Sequence, residues 1–465
     1  MTPSQQYDAI IIGSGQAGTP LSTALAQAGM RTALIEREHV GGTCINEGCT
    51  PTKTMVASGR VAYLARRAAD YGLDTGPISI DMPKVRERKR KIVDSFRNGS
   101  QSRIEKAANL DLIFGEARFT APKSVEVRTK DGSERVMSAK NIFINAGTRA
   151  SHPRLNGLED VPFLDNASIM ELDSVPDHLL ILGGGYIGLE FGQLFRRFGS
   201  RVTIIQSAGQ LLTQEDPDIA EEVAKILRQD GLEIMLKTKA IRVSRADGSI
   251  RLEVQQQGNS TTLVGSHLLV ATGRVPNSDT LSLAAAGIQT NDRGFIQVND
   301  RLETTAAGVY ALGDIKGGPS FTHISYDDFR IIRANLLEKK TASITNRLVP
   351  YTLFIDPQLG RVGLTETEAR AQNRNIRIAK LPMSSVARAL EVDETRGFMK
   401  AVVDAETKRI LGAAVLGIEG GEVMAVLEVA MMGKLPYTAL RDGVFAHPTL
   451  AESLNNLFMA IDSNK

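Results

Sequence analysis

Cysteine is nearly absent: the 465 residues contain two, Cys44 and Cys49. Two thiols cannot build the framework that staples small secreted domains, and a lone Cys pair in a reducing compartment is more often catalytic or redox-active than structural. Net charge is nearly absent as well. A formal +2 makes neither nucleic acid nor an anionic membrane a general partner. No stretch of about 18 consecutive apolar residues occurs, so no membrane span is expected. Residues 1–6 are polar, with neither a charged n-region nor an apolar h-region. The expected location is therefore the cytoplasm. Histidine numbers six, and no metal-ligating cluster is read.

What is present suffices for several domains. A chain of 465 residues exceeds one core and suggests about three domains. With 42% apolar and 23% charged residues it has a globular composition. The basic run at 84–91, interrupted only by Val85 and Glu87, reads as the solvated face of a helix.

The two cysteines stand in Gly41-Gly42-Thr43-Cys44-Ile45-Asn46-Glu47-Gly48-Cys49-Thr50-Pro51-Thr52-Lys53. On an ideal helix their Cα atoms would be roughly 7.5 Å apart, beyond the usual reach of a disulfide. A bridge here needs a distorted first helical turn. Two buried, inert thiols are one reading. The flanks favour a redox pair, because the Gly pair admits a close neighbour and a helix N-terminus lowers a thiol pKa.

Upstream, the β-branched run at 7–12 ends at Gly13-Ser14-Gly15-Gln16-Ala17-Gly18, and a helix is expected over 19–28. This is the GxGxxG turn in its required setting. Gly13 makes the tight turn, Gly15 lets a pyrophosphate approach, and Gly18 allows close helix packing. The next strand, at 32–35, ends at Glu36, a carboxylate placed to accept from ribose hydroxyls. A dithiol one loop beyond such a unit suggests that the dinucleotide is a flavin, which can exchange electrons with a disulfide.

A second strand, turn and helix follow at Leu179-Leu180-Ile181-Leu182, then Gly183-Gly184-Gly185-Tyr186-Ile187-Gly188. Two such sites imply FAD and a nicotinamide. Where the second ribose-reading residue belongs stands Gln206, neither the acid that favours NAD nor an Arg that favours NADP, so NADH and NADPH both stay open. Two segments, Asn145-Ala146-Gly147-Thr148 and Ala271-Thr272-Gly273-Arg274, each look like the end of a nucleotide domain. Strand and acid recur at Gly313-Asp314, where Asp314 either binds a ribityl hydroxyl or caps a helix. The helix from about His323 can aim its N-terminal amides at the flavin N1 and O2 region. From 349 onward an α+β domain without nucleotide motifs is expected, of a kind that often serves as an interface. Near its end His447 and Glu452 are either structural or a general acid/base and its orienter.

Together these motifs resemble the flavoprotein disulfide reductases, the family of glutathione reductase, dihydrolipoamide dehydrogenase and mercuric reductase. The resemblance rests on Gly42-Thr43-Cys44 with Cys49-Thr50-Pro51-Thr52-Lys53, on Gly185 to Glu190, and on Gly273-Arg274, Gly313-Asp314 and His447-Pro448-Thr449 with Glu452. It implies an α/β fold of two Rossmann-like dinucleotide-binding domains plus a C-terminal α+β dimerisation domain. The FAD domain would span 1–150 and 276–347, the NAD(P) domain 151–275 would be inserted in it, and 348–465 would dimerise.

The resemblance also implies roles. Cys44 would be the interchange thiol and Cys49 the charge-transfer thiol against the flavin. Lys53 and Glu190 would pair beside flavin N5, and Tyr186 would cover the nicotinamide pocket. His447 of the partner subunit, with Glu452 of the partner subunit, would complete each site of a homodimer. Flavin contacts would come from Gly13, Gly15, Gly18, Glu36, Gly42, Thr43, Lys53, Gly147, Gly313, Asp314 and His323. Further cofactor contacts would come from Gly183, Gly185, Tyr186, Gly188, Glu190, Gln206, Gly273 and Arg274.

The implied activity is NAD(P)H-driven reduction of a small oxidant or disulfide. The segments at 321–330, 435–437 and 452–455 look like the branch linked to reactive-chlorine resistance and hypothiocyanous acid reduction. Alternatives are mercuric reductase-like Hg(II) reduction, dihydrolipoamide dehydrogenase, and a non-catalytic flavin redox sensor. A typical mercuric reductase carries a C-terminal Cys pair, whereas this chain ends Asp462-Ser463-Asn464-Lys465.

Overall fold

The strand Gln5–Ile12 is a β-branched run whose Ala9, Ile10 and Ile11 are wholly buried, as the centre of a parallel sheet requires. The computed structural model describes residues 5–463. Met1–Ser4, Asn464 and Lys465, on which the targeting and C-terminal thiol readings partly rest, lie outside them. The chain divides into two compact units. One comprises Met1–Thr54, Lys84–Ser151 and Gly273–Arg347, and the other Met55–Pro83, His152–Thr272 and Leu348–Lys465.

In the first unit, Gln5–Ile12 pairs in parallel with Thr32–Glu36 on one edge and Glu134–Ile144 on the other. Thr32–Glu36 pairs outward with the first half of Leu110–Ala121, and Glu134–Ile144 with Val309–Ala311. The second half of Leu110–Ala121 turns into an antiparallel meander through Ser124–Thr129 back to Glu134–Ile144, with Asp131-Gly132 in its turn. Helices Gly18–Gln27 and Thr322–Leu336 supply Leu21, Leu25, Phe329 and Ile332 to one core with Phe143. Each such side chain stabilises the fold by roughly 1.5–3 kcal/mol on burial. On the helix Met82–Glu105 the basic run is mostly exposed, as expected, but Lys89 is buried.

The second unit repeats the arrangement. His267–Val270, His178–Leu182, Arg201–Ile205 and Glu233–Met235 form a four-stranded parallel sheet in that order. Both units enter their crossover helix through the same contact. A Cβ on Gly18 would lie 2.1 Å from the Gly13 carbonyl oxygen, and one on Gly188 would lie 2.2 Å from that of Gly183. Only glycine fits where helix and strand come so close. The antiparallel ribbon Thr238–Ala246, Ser249–Gln256 and Asn259–Gly265 shares a core with this sheet through Val243, Leu252 and Leu268.

The same unit holds a five-stranded antiparallel sheet, ordered Tyr351–Leu353, Gln358–Gly363, Ile410–Gly417, Phe398–Asp404 and Ile376–Pro382. Helices Gly420–Met432 and Ser453–Ser463 lie against it and close a core around Val415, Leu427, Leu457 and Phe458. Buried charges here are paired, as their desolvation demands. Arg197 reaches Asp356 at 2.5 Å and Asp230 at 3.3 Å, and Lys400 lies within 3.0 Å of Asp216, Asp218 and Glu366. No helix among the described residues is long and apolar enough to cross a membrane.

Candidate active site

The two cysteines sit on separate helices. Cys44 lies within the short helix Gly42–Asn46, and Cys49 opens the 18-residue helix Cys49–Arg66. The distortion expected between them is a break at Glu47-Gly48, where a Cβ on Gly48 would stand 2.9 Å from the Thr43 carbonyl oxygen. Asn46 fastens the loop, donating to the carbonyls of Val40 at 3.1 Å and Gly42 at 2.9 Å and accepting from Arg97 Nε at 2.7 Å.

Neither thiol is in a disulfide; Cys49 is exposed and Cys44 half-buried. Thr322 stands between them: its Oγ1 donates to Cys44 Sγ at 3.0 Å and lies 3.3 Å from Cys49 Sγ. A hydrogen bond to Cys49 and then burial push the Cys44 thiol up, while Thr322 and Lys53 pull it down. Cys49 heads a long helix, whose N-terminal dipole favours a thiolate there.

The glycine turn of the first unit lies directly under this loop. Gly42 has φ +62°, and a Cβ on it would stand 2.8 Å from Gly15 Cα. Glu36 accepts from the Ser14 amide at 3.0 Å, from Ser14 Oγ at 2.6 Å and from the Glu38 amide at 2.8 Å. Asn145 ties the turn to the return strand, accepting from the Gly18 amide at 2.9 Å and donating to the Leu312 carbonyl at 2.8 Å. Thr43 is exposed and Lys53 stands one turn into the Cys49–Arg66 helix.

At the carboxyl end of this sheet Asp314 is half-buried. Burial pushes its carboxyl up, against the pull of Arg274 and of Thr148, whose Oγ1 lies 3.2 Å from Asp314 Oδ2. Arg274 reaches Thr148 Oγ1 at 2.8 Å and its carbonyl at 2.7 Å. Gly273 and Arg274, read from sequence as the end of the nicotinamide domain, thus belong to the first unit, where Arg274 braces Asp314. Gly147 and Gly313 adopt φ +66° and +69° on either side of this group. The helix Thr322–Leu336 has no side-chain cap, and His323 in its first turn is exposed with its ring stacked on Phe321 at 5.4 Å. A cradle no Cβ can enter, an uncapped helix start and a half-buried acid at the strand ends fit a flavin dinucleotide.

In the second unit Tyr186 opens the Tyr186–Phe198 helix after Gly183 and Gly185. Its ring lies 5.6 Å from that of Tyr351, whose hydroxyl donates to the buried carboxylate of Glu215. Glu215 in turn stands 3.3 Å from Arg361 Nε. Burial pushes the carboxyl of Glu215 and the phenols of Tyr186 and Tyr351 up, and Arg361 opposes the shift at Glu215. Glu190 is buried and accepts from the Phe354 amide at 2.9 Å. Gln206 folds back on the turn, accepting from the Gly184 amide at 3.3 Å and donating to the Gln210 carbonyl at 3.2 Å.

His447 and Glu452 come together at 2.8 Å, Nδ1 to Oε1, with His447 73% exposed. Its free Nε2 is open to a further partner. Among the described residues no cluster of three His, Cys, Asp or Glu could hold a metal ion. A cavity of about 680 Å³ lies elsewhere in this unit, among Tyr63, Arg67, Arg197 and Arg396. Arg67, Arg197 and Arg396 are already paired with Asp230, Asp356, Asp393 and Glu394, which makes them a structural ion-pair network.

Thr322, Asn145 as a hub, and the Tyr351, Glu215 and Arg361 group were not assigned roles from sequence. No spacing marks them, since each acts on a residue far away in the chain.

Comparison with known proteins agrees with this geometry. The family model described as pyridine nucleotide-disulphide oxidoreductase matches residues 7–328, and the dimerisation domain of the same family matches 349–458. The chain is 40% identical over 460 residues to a probable pyridine nucleotide-disulfide oxidoreductase, RclA, of Escherichia coli K12, covering 98% of this chain and 99% of that protein. It is 34% identical to a mercuric reductase of Lysinibacillus sphaericus, covering 98% of this chain and 83% of that one. The solved Cu(II) complex of the HOCl-induced flavoprotein disulfide reductase RclA from Escherichia coli matches with a TM-score of 0.90 and 38% identity, covering 98% of this chain and 99% of that chain.

Proposed function

Because the chain belongs to the pyridine nucleotide-disulphide oxidoreductase family, we propose that it reduces a small electrophilic oxidant, hypothiocyanous acid, at the Cys44 and Cys49 dithiol. It is an NAD(P)H-dependent flavoprotein disulfide reductase that uses FAD, and it carries the family's dimerisation domain. The observation that carries the proposal is the geometry of the pair: an exposed thiol at a helix start, a half-buried one beside it, and the Thr322 hydroxyl between them. Likeness to a protein described as HOCl-induced supports an oxidant of the reactive-chlorine kind.

In this reading residues 1–150 and 276–347 bind FAD, 151–275 bind NAD(P)H, and 348–465 dimerise. Gly13, Gly15, Gly18 and Gly42 would leave room for the pyrophosphate, Glu36 would receive a ribose hydroxyl, and Asp314 a ribityl hydroxyl. Bound FAD supplies a two-electron relay between the reduced nicotinamide and the disulfide. Tyr186 covers the nicotinamide pocket. The proposed compartment is the cytoplasm.

The substrate half-reaction uses the chain's own groups. The Cys44 thiolate attacks the sulfur of hypothiocyanous acid. A Cys44–SCN bond forms, and hydroxide leaves as water with a proton from His447 of the partner subunit. The Cys49 thiolate then attacks Cys44 Sγ, closing the disulfide and releasing thiocyanate. Two thiols lose two electrons, and the substrate sulfur gains them.

The test is anaerobic reduction of the holoenzyme by NADH or NADPH, then reoxidation with hypothiocyanous acid, oxidised glutathione, lipoamide or Hg(II). Stoichiometric reoxidation by hypothiocyanous acid within the mixing time supports the proposal. Fast reoxidation by lipoamide or Hg(II) alone replaces it with the dihydrolipoamide dehydrogenase or mercuric reductase reading.

A further inference from the structure

The residue expected to read the nicotinamide ribose carries no charge. Gln206 follows the strand Arg201–Ile205, and both ends of its amide are engaged by the backbone of Gly184 and Gln210. From 206 to 214 the chain offers no charged side chain at all. The first acid after it, Glu215, is buried against Tyr351 and Arg361.

A cation reaches this loop from the neighbouring strand. Glu233–Met235 lies parallel beside Arg201–Ile205, and the two run in register past their ends. The Gln206 amide donates to the Met235 carbonyl at 2.9 Å, the Lys237 amide to the Ala208 carbonyl at 2.9 Å, and the Thr238 amide to the Gln206 carbonyl at 3.0 Å. Lys237 is thereby sewn to the 206–208 loop at a left-handed φ of +52°, which sets the direction of its side chain. That side chain lies along the loop: a Cβ on Gly209 would stand 3.4 Å from Lys237 Cε. Ser207 and Lys237 are both exposed. Among the described residues, Lys237 makes no ion pair.

In a doubly wound sheet the ligand binds beyond the carboxyl ends of the strands, and the end of the second strand faces the adenosine ribose. An acid there accepts from a 2′-hydroxyl and repels a 2′-phosphate. Here the acid is missing and an unpaired ammonium stands next to an exposed hydroxyl. We infer that Lys237, with Ser207, is the specificity-determining pair for the 2′-phosphate, so that NADPH is the preferred reductant. A phosphate dianion would gain a charge-assisted hydrogen bond from Lys237 and one from the Ser207 hydroxyl, and NADH would gain neither. The inference rests on the reading of the chain as an NAD(P)H-dependent reductase.

Two measurements on the holoenzyme test it. In calorimetry, 2′,5′-ADP is expected to bind roughly tenfold or more tightly than 5′-AMP. Lys237→Ala should erase most of that difference, and Lys237→Arg should keep it. In steady state with one fixed acceptor, the ratio of kcat/KM for NADPH to that for NADH should exceed about ten. It should fall in Lys237→Ala mainly through KM for NADPH. It should fall further in Gln206→Glu, which keeps an acceptor for the Gly184 amide and adds the missing charge. Equal binding of the two nucleotides by the wild type, or an unchanged ratio in both variants, overturns the inference. If neither nicotinamide reduces the flavin, the reductase reading fails by itself, while the calorimetry still decides the role of Lys237.

Discussion

Replacing Thr322 by Val removes the hydroxyl between the thiols and little else, since the two side chains have nearly the same shape. In the native site that hydroxyl donates to Cys44 Sγ at 3.0 Å and touches Cys49 Sγ at 3.3 Å. It has a single proton, so it can serve one thiolate while accepting from the other thiol. Donation stabilises the charged form and lowers the pKa, so its removal raises the first pKa of the pair. A hydrogen bond to a charged group is worth about 1.5–3 kcal/mol, and water at the exposed Cys49 recovers part of it. About 1–1.5 kcal/mol remains, or roughly one pKa unit. The assay is the rate of iodoacetamide alkylation of the reduced holoenzyme as a function of pH. The midpoint should move up by about one unit, and the rate below the midpoint should fall roughly tenfold, with the high-pH plateau retained. Thr322→Ser should restore the native profile. A midpoint within a few tenths of a unit of wild type in Thr322→Val would refute the assignment of Thr322 as the partner of the thiolate.

Other perturbations have separate outcomes. Cys44→Ser and Cys49→Ser should each keep the flavin spectrum and its reduction by nicotinamide while losing acceptor turnover; full turnover in both would remove the dithiol from the mechanism. His447→Gln should slow reoxidation by roughly 10²–10⁴-fold, as expected for loss of a general acid, with flavin reduction retained in stopped flow. Tyr351→Phe strips the buried Glu215 of one hydrogen bond, and calorimetry should show a loss of about 1–3 kcal/mol. Asp216 is the pH-sensitive case. Burial raises its carboxyl, but hydrogen bonds from Thr367, Glu366 and Lys400 outweigh it and leave the pKa at about 2. A depressed folded pKa stabilises above the unfolded value near 3.8, and that contribution is lost as pH falls through about 2. Asp216→Asn should therefore cost roughly 1–2 kcal/mol at pH 7 and less below pH 3, read from denaturant melts at both pH values.

The parts of this molecule that can be read from sequence are those whose chemistry dictates both residue type and spacing. The two glycine turns, the cysteine pair five residues apart, and His447 with Glu452 all act within one local segment. The chain must bring them together whatever else it does. Thr322 and Cys44 are 278 residues apart, and Tyr351 and Glu215 are 136 apart. Their contacts exist only because the fold brings elements distant in sequence side by side. Arg274 shows the same limit in another form. It follows the last strand of the second sheet and so reads as part of it, yet its guanidinium closes on Thr148 in the first unit, because the chain crosses back one residue earlier. Lys237 was invisible for the same reason: the residue that faces the ribose loop from the adjacent strand has no fixed offset from the glycine turn.

The two nucleotide turns also separate a structural duty from a chemical one. In the first, Glu36 accepts from the amide of Ser14, the residue after the leading glycine, at 3.0 Å. In the second, Gln206 accepts from the amide of Gly184, the residue after its leading glycine, at 3.3 Å. An oxygen at that position holds the turn in shape in both units, and a carboxylate or an amide supplies it equally. The charge is therefore free to vary without cost to the fold. Where it is kept, at Glu36, the neighbouring helix start bears the thiols, and the proposed reading gives the ribose an acid. Where it is dropped, at Gln206, the adjacent strand presents Lys237 to the same loop. In the proposed reading the shared glycine geometry would set where a dinucleotide sits, and Glu36 in one unit and Lys237 in the other would set which sign of charge its ribose meets.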